Sequence, residues 1–229
     1  AIDLGATSGR GIVGTYDGKK LTLAENHRFD DSSSFIGNTL QWNIMDIFEN
    51  IKQSVKIAGS DIKSIGIDTW GVDYALIGKD GRMVSSPVNY RDARTDDIMQ
   101  YAERFMSRSE LYQATGIQNM KFNTVYQLMA VKKETPEAFD KAVDFLMIPD
   151  LLNYKLTGVK EQEYTNATTG QLVNIKTGEW DLELIEKLGY PVAYLPVTKE
   201  GVITRDALSS VITHNTRLVS VMYANNEIG

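Results

Sequence analysis

The sequence has no cysteine, and its only histidines among 229 residues are His27 and His214. The lack of cysteine excludes disulfides, thiolate nucleophiles and every zinc or iron–sulfur site built on cysteine. Two histidines so far apart in the chain leave little for a histidine-rich metal centre. Lone His27 falls on an alternating strand pattern and is interpreted as a structural or surface residue.

Long apolar runs and basic clusters are also missing. No stretch approaches the ~20 apolar residues that span a bilayer, and no basic segment followed by an apolar one opens the chain. We therefore expect a cytoplasmic protein without a membrane partner. The 24 Lys and Arg residues are outnumbered by 30 Asp and Glu and form no run that would follow a phosphate backbone, so nucleic acid is not expected as a partner.

The apolar pattern that remains alternates between strand and helix periods, which predicts one α/β domain over about the first 190 residues. Strands are predicted at residues 1–4, 11–16, 20–29, 72–77 and 82–84, with a type I′ hairpin turn at Asp17-Gly18 and a second hairpin turn at Asp80-Gly81. The helix predicted over residues 42–58 leads to a buried strand, Ile62 to Asp68, in a βαβ-like crossover. Further helices are predicted over residues 95–106, 109–114, 124–133, 136–142, 150–156, 182–188 and 204–212. A last strand is predicted over residues 217–223, paired with the sheet edge.

A short glycine-rich segment follows the first strand and carries the sharpest local signal. It reads Asp3-Leu4-Gly5-Ala6-Thr7-Ser8-Gly9-Arg10. Small residues allow backbone N–H groups to approach an anion, and such oriented amides bind phosphate. Asp3 could hold Mg²⁺ through water, and Arg10 could pair with phosphate oxygens. A glycine-rich hairpin turn without a ligand explains the same pattern.

The second motif comes after the next predicted buried strand and reads Gly66-Ile67-Asp68-Thr69-Trp70-Gly71-Val72-Asp73. The end of such a strand is where open α/β sheets place ligands. Trp70 offers an apolar face suited to a sugar ring, and Gly71 permits a close backbone contact. The alternative is a core tryptophan followed by a glycine that ends the strand.

Three other polar segments have two interpretations each. The segment 89–95 surrounds Asp92 with two arginines and either binds polar substrate groups or uses Asp92 as a helix N-cap. Asn123 occupies another predicted N-cap position. The hydroxyl-rich segment 164–171 is predicted as a loop that either lines a cleft or satisfies its own backbone.

In order and spacing, these segments together resemble the N-terminal lobe of the FGGY carbohydrate kinases over residues 1–188, and most closely the kinases of L-rhamnulose. The resemblance is carried by residues 1–10, 64–73, 90–95, 122–128 and 165–174. It implies an actin-like ATPase (ribonuclease H-like) fold with two lobes that close over ATP and a ketose. It also implies that the phosphate contacts are Ala6, Thr7, Ser8, Gly9 and Arg10, that Asp3 lies near Mg²⁺, and that Trp70 and Gly71 touch the sugar.

No catalytic base is assigned in this chain. In the family the resemblance identifies, the base is the Asp of a His-Asp-Thr segment that opens the C-terminal lobe, whereas this chain has His214-Asn215-Thr216. An asparagine cannot accept the proton. Residues from about 190 to 229 instead resemble a fragment of a cysteine desulfurase, a pyridoxal-phosphate enzyme. The lysine that holds that cofactor and the catalytic cysteine are absent, so pyridoxal phosphate is not expected.

The chain is therefore interpreted as a kinase N-terminal domain over residues 1–188 and an atypical tail over residues 189–229, from a fused or misassembled reading frame. The resemblance implies phosphorylation of L-rhamnulose at its 1-hydroxyl, with ATP and Mg²⁺. We expect the chain alone to be inactive, because half a cleft cannot exclude water or hold both substrates. The alternatives are a non-catalytic sugar- or phosphate-binding fragment, a kinase of another deoxyketose, and a structural product that associates with itself.

Overall fold

A computed structural model describes residues 1–30, 33–190, 192, 198 and 202–212. The strands are β1 (Ile2–Leu4), β2 (Ser8–Tyr16), β3 (Leu21–Asp30), β4 (Ser33–Ile36), β5 (Thr39–Trp42), β6 (Ile67–Asp68), β7 (Tyr74–Gly78) and β8 (Ala142–Met147). The helices are α1 (Ile44–Ala58), α2 (Ile98–Ala102), α3 (Arg108–Thr115), α4 (Thr124–Glu134), α5 (Pro136–Lys141), α6 (Ile148–Thr157), α7 (Tyr164–Thr169), α8 (Leu182–Lys187) and α9 (Arg205–Val211), with a 3₁₀ turn at Ala93–Thr95. The predicted α/β class is confirmed.

The principal sheet has the strand order β3-β2-β1-β6. β1 is antiparallel to β2 and parallel to β6, so the predicted crossover between the first strand and the strand after α1 is present. The predicted hairpin of β2 and β3 is also confirmed, but the predicted turn type is wrong. A type I′ turn needs positive φ at both central residues, and of Asp17 and Gly18 only Gly18 has it. The Asp17 carboxylate accepts the Lys19 and Lys20 N–H groups at 2.8 Å, which favours a four-residue loop.

The helix α1 begins two residues later than predicted. Asn43 accepts the N–H of Asp46 and so caps the helix, while Ile47 and Ile51 face the core. Trp42, predicted as the first helical residue, instead ends strand β5, where it pairs with Ser33 of β4. This correction matters for the site because it places the Trp42 indole beside Trp70.

The strand β6 is shorter and more exposed than the predicted buried strand over residues 62–68. Only Ile67 and Asp68 pair with β1, opposite Ile2 and Asp3, and Asp68 is exposed. Among the described strands, β6 pairs only with the three-residue β1. A strand of three residues can form few ladder hydrogen bonds, so the predicted strand residues before Ile67 remain irregular.

The strand β7 is buried along its whole length but has a different partner from the one predicted. The expected return strand over residues 82–84 is reduced to one bridge between Ile77 and Met83. The main partner is β8, which pairs antiparallel and was not predicted. A fully buried strand needs a continuous ladder, and β8 supplies it from about seventy residues further along the chain.

The helical predictions differ mainly at two places. The single helix predicted over residues 95–106 is divided into the 3₁₀ turn and α2, and the segment predicted as a hydroxyl-rich loop contains α7. The side chain of Glu163 explains α7, since it accepts the N–H groups of Thr165 and Asn166 at 3.0 and 2.8 Å. The predicted strand over residues 217–223 and the segment His214-Asn215-Thr216 lie outside the described residues.

One hydrophobic core joins the sheet to α1 and α6, and a second joins α2, α3, α4 and α8. The ends of β1 and β6 and the loop before β7 border the first core, which fixes the position of both predicted motifs. Among the described helices, none combines the length and the apolar character needed to cross a bilayer.

Candidate functional site

The turn between β1 and β2 holds the residues predicted to contact phosphate. The Gly5 N–H donates to the Ser8 carbonyl at 2.9 Å, which closes the turn over Ala6 and Thr7. Thr7 is exposed, while Ala6 and Ser8 are half-buried. The turn therefore lies at the surface at the carboxyl end of β1, where an anion can reach it.

Arg10 and Asp3 face each other across β1 and β2 and form an ion pair. Their backbones are paired in the strand register, and the Arg10 Nε donates to Asp3 Oδ2 at 2.7 Å. Both side chains remain partly exposed. The guanidinium predicted to bind phosphate is thus paired with the carboxylate predicted to lie near Mg²⁺.

The two motifs meet through the parallel pairing of β1 and β6. Asp3 lies opposite Asp68 in the register, so Asp68, Asp3 and Arg10 form one row across three strands. Mg²⁺ is commonly bound through one or two carboxylates with water and substrate phosphates supplying the other ligands. The pair Asp3 and Asp68 fits such a donor set. No cluster of three or more acidic or histidine side chains with metal-binding geometry occurs in the part of the chain that the structure describes.

Gly9 is buried, and the neighbouring side chains explain why this position is a glycine. A Cβ built there would lie 2.5 Å from the Phe29 ring and 2.7 Å from Leu4. The glycine thus allows the Phe29 and Leu4 side chains to lie directly against β2 at this position.

We expect Gly9→Ala to destabilise the fold by about 1–3 kcal/mol, because the added methyl group overpacks this contact. Urea denaturation followed by tryptophan fluorescence measures the loss. Gly14→Ala is the matched control on the same strand, since a Cβ there would meet only the Leu21 and Leu23 side chains at 3.4–3.5 Å. Equal stability of Gly9→Ala and the unsubstituted chain would contradict the packing explanation.

Trp70 is half-buried in the middle of the second motif and stacks on Trp42. The ring centroids are 3.9 Å apart, with an interplanar angle of 27°. The Trp70 Nε1–H donates to Asp73 Oδ2 at 3.0 Å. One face and the polar edge of the ring are thereby fixed by the protein.

Asp73 is fully buried and accepts four hydrogen bonds. Its Oδ2 accepts the Trp42 indole at 2.6 Å, the Trp70 indole and the Tyr90 N–H at 3.1 Å, and its Oδ1 accepts the Gln127 side-chain amide at 2.8 Å. Burial raises the pKa of Asp73 to about 6, and these donors limit the rise. The carboxylate joins the ends of β5 and β7 to the 89–95 segment and to α4.

Gln127 extends this network to Arg94. Its Oε1 accepts Arg94 Nη2 at 2.8 Å, while its Nε2 donates to Asp73 and to the Phe122 carbonyl.

Of the two roles predicted for Asp92, the structure shows the helix N-cap. Its Oδ1 accepts the Arg94 N–H at 2.9 Å. Asn123 occupies the N-cap position of α4 without accepting a cap hydrogen bond; its amide donates to Gln118 and Gln171 instead.

Gly71 follows Trp70 and lies directly against Thr169 of α7. A Cβ at Gly71 would be 2.9 Å from Thr169 Oγ1, and that hydroxyl accepts the Val72 N–H at 3.0 Å. The close approach predicted for this glycine is therefore occupied, in this structure, by a protein side chain.

Sequence reasoning named Asp73 as the end of a motif but assigned it no role, and it missed the roles of Trp42, Gln127 and Thr169. Trp42, Gln127 and Thr169 lie 28 to 98 residues along the chain from the residues that they contact between Trp70 and Asp73, so no local spacing reports them. The one available signal was the acidic residue at the start of an apolar strand, since a buried carboxylate requires donors.

Comparisons with known proteins identify the family. The sequence profile of the N-terminal domain of the FGGY family of carbohydrate kinases matches residues 1–214. A rhamnulokinase of Oceanobacillus iheyensis is 48% identical over 193 residues, and one of Mannheimia succiniciproducens is 42% identical over 199 residues. These alignments cover 83% and 85% of this chain, but only 41% of each relative.

Solved structures show the same fold. A ligand-bound xylulose kinase from Lactobacillus acidophilus superposes with a TM-score of 0.74 at 20% identity, covering 94% of this chain and 46% of that one. A glycerol kinase from Plasmodium falciparum with ADP gives 0.66 at 13% identity, covering 92% and 45%. The mixed α/β architecture is that of the actin-like ATPase N-terminal domain. The chain belongs to the FGGY family of carbohydrate kinases, whose N-terminal domain it carries.

Proposed function

We propose that this chain is the N-terminal domain of a kinase that transfers the γ-phosphoryl group of ATP to the 1-hydroxyl of L-rhamnulose in the cytoplasm. The observation that carries the proposal is the identity of 42–48% to rhamnulokinases over more than four fifths of the chain. That stretch includes both the β1–β2 turn and the loop over residues 70–73, called the Trp70 loop. The parallel pairing of β1 and β6, which brings these motifs to one sheet edge, supports a shared role in the reaction.

In this proposal the turn Ala6, Thr7, Ser8 and Gly9 offers backbone N–H groups to the phosphates of ATP, and Arg10 supplies a cation. Asp3 would hold Mg²⁺ through water. When bound, Mg²⁺ neutralises developing charge on the phosphates. Arg10 must then exchange its Asp3 partner for phosphate oxygens.

Trp70 and Gly71 form the wall that faces the sugar. Phosphoryl transfer forms a bond between the 1-hydroxyl oxygen and the γ-phosphorus, and it breaks the bond between that phosphorus and ADP. The hydroxyl proton leaves to a base that we do not place in this chain. The wall therefore binds and orients the sugar.

The chain spans about two fifths of the length of the curated relatives that it matches. A cleft needs two walls to exclude water and to hold both substrates. We therefore propose that the chain alone transfers no phosphate. The specific alternative is a sugar- or phosphate-binding fragment, since both motifs lie on the part that is present.

A coupled ADP-release assay with L-rhamnulose and Mg-ATP tests the proposal. The chain alone should give no turnover above a control without sugar. A fusion of residues 1–188 to the remaining length of the Oceanobacillus relative should phosphorylate L-rhamnulose. Turnover by the chain alone would contradict the need for a second wall, and a folded fusion that rejects L-rhamnulose but accepts another deoxyketose would contradict the substrate assignment.

We also propose that the kinase domain ends near residue 188 and that residues 189–229 form the atypical tail. Sequencing the source locus across codons 180 to 229 tests this boundary. The same junction in the genome would support a fused gene. An uninterrupted kinase sequence there would contradict the assignment of a foreign tail.

A further inference from the structure

The backbone turn centred on Val72 is strained. Val72 has φ +67°, and the Asp73 N–H donates to the Gly71 carbonyl at 2.9 Å, across one intervening residue. This is a γ-turn with positive φ, which is rare and strained compared with the inverse form. A β-branched residue is a particularly unfavourable occupant of the left-handed region. Other interactions must therefore hold this turn.

Two threonines bind the two polar backbone groups of Val72. Thr169 Oγ1 of α7 accepts the Val72 N–H at 3.0 Å, and Thr124 Oγ1 of α4 donates to the Val72 carbonyl at 2.7 Å. The Gln127 amide makes a longer contact to the same carbonyl, 3.3 Å. These interactions connect two helices to a single residue of the loop, and the threonine hydroxyls make the shorter ones.

The turn determines where Trp70 lies. It reverses the chain so that Asp73 returns to accept the Trp70 indole N–H, with the ring stacked on Trp42. Thr169 also packs against Gly71, since a Cβ at Gly71 would meet its Oγ1 and Cγ2 at 2.9 and 3.0 Å. An extended Val72 would separate Asp73 from the Trp70 edge and move the ring away from Trp42.

We propose that Thr169 and Thr124 are positioning residues for Trp70: they hold Val72 in its left-handed turn and thereby fix the indole face. The use of that face for L-rhamnulose rests on the proposed function, whereas the positioning of the ring does not. Neither threonine needs to touch substrate.

The stacked indoles provide a direct readout without any ligand. Two indole rings 3.9 Å apart and inclined by 27° couple their electronic transitions and give an exciton couplet in circular dichroism. The chain has three tryptophans, and Trp180 packs against the core formed by α2, α3, α4 and α8. The couplet therefore reports the geometry of Trp42 and Trp70, and a thermal unfolding curve reports the fold separately.

Thr169→Val keeps the shape of the side chain but removes the acceptor of the Val72 N–H. We expect it to lose much of the couplet while it retains a cooperative unfolding transition. Thr169→Ser should restore the couplet because it keeps the hydroxyl. Thr168→Val is the matched control, since the Thr168 hydroxyl donates to Thr165 within α7 and does not reach the loop. Thr124→Val tests the second threonine in the same way.

Making the threonine substitution in a Val72→Gly chain tests the contribution of the strained φ at Val72. Glycine adopts positive φ without a Cβ penalty, so in Val72→Gly the turn depends much less on the two threonine hydroxyls. Thr169→Val should therefore cost less of the couplet in the Val72→Gly chain than in the unsubstituted chain. Equal losses in the two backgrounds would overturn the role of strain. An undiminished couplet in both Thr169→Val and Thr124→Val would overturn the proposal as a whole.

The effect of ring position on the sugar is tested with the fusion described above. Thr169→Val should raise KM for L-rhamnulose about tenfold, the effect of one lost hydrogen bond, with a smaller change in kcat. A reduced couplet with unchanged KM would overturn the link between ring position and sugar. If the unsubstituted fusion does not use L-rhamnulose while the couplet still depends on Thr169, the substrate assignment fails and the positioning of Trp70 stands.

Discussion

Trp70→Ala is expected to abolish the binding of L-rhamnulose that calorimetry detects, and to lower kcat/KM of the fusion by about thirtyfold or more. An aromatic anchor that presents a preorganised face typically contributes about 2 kcal/mol or more to binding, which corresponds to about thirtyfold at 25 °C. Here one side of the ring stacks on Trp42 and its N–H is held by Asp73, so little freedom is lost when the other side meets a sugar.

Two matched variants separate this role from general stability. Trp70→Phe keeps an apolar ring but loses the hydrogen bond to Asp73, so we expect it to retain part of the affinity. Trp180→Phe changes a tryptophan that packs against the core of α2, α3, α4 and α8, and this variant should bind sugar normally. Affinity of Trp70→Ala equal to that of the unsubstituted protein would refute the sugar wall.

The sequence predicted those parts of the fold whose causes are local. The Asp17-Gly18 turn lies between its own two strands, and the apolar face of α1 repeats every three or four residues, so both were found. The strand β8 has no such signal. It follows α5 directly, and its partner β7 lies far back in the sequence. An apolar run without turn residues at its ends does not by itself predict a strand.

The candidate site likewise has a part that the sequence could predict and a part that it could not. The segments around Asp3 and Trp70 could be recognised because small, acidic and aromatic residues stand together at predicted strand ends. Their connection could not, because it depends on the register of β1 against β6. The contact of Thr169 with Val72 spans 97 residues and was equally invisible. A strained φ at a valine has no signal in the sequence.

Asp73→Ala is expected to lower the free energy of unfolding by about 2–4 kcal/mol. The substitution leaves two indole N–H groups, the Tyr90 N–H and one Gln127 amide proton without their acceptor inside the protein. A buried polar group left unsatisfied costs about 1–3 kcal/mol, and water entering the vacated volume offsets part of the sum. Urea denaturation measures the loss, with the exposed Asp61→Ala as the control that should change little.

Asp73→Asn should also destabilise the fold, because its new N–H₂ group must face donors. If the amide oxygen takes the position of Oδ2, the nitrogen meets Gln127 Nε2, which lay 2.8 Å from Oδ1. Gln127 cannot simply turn over, since its Oε1 accepts Arg94 and its Nε2 donates to the Phe122 carbonyl. We expect a loss smaller than that of the alanine variant, because one acceptor remains.

The pH dependence of this loss tests which force dominates at Asp73. Its pKa is raised by burial from the ordinary value of 3.8 to about 6, so between these values the folded chain binds more protons than the unfolded chain. The Asp73 contribution to stability is therefore fully present below about pH 4 and decreases as the pH rises through 6. Asp73→Asn lacks this titration, so its deficit relative to the unsubstituted chain should shrink over that interval. Burial likewise raises the pKa of Asp150 to about 6, but that group is present in both proteins and cancels in the difference. A deficit that grows with pH would show that the four donors stabilise the carboxylate by more than burial destabilises it.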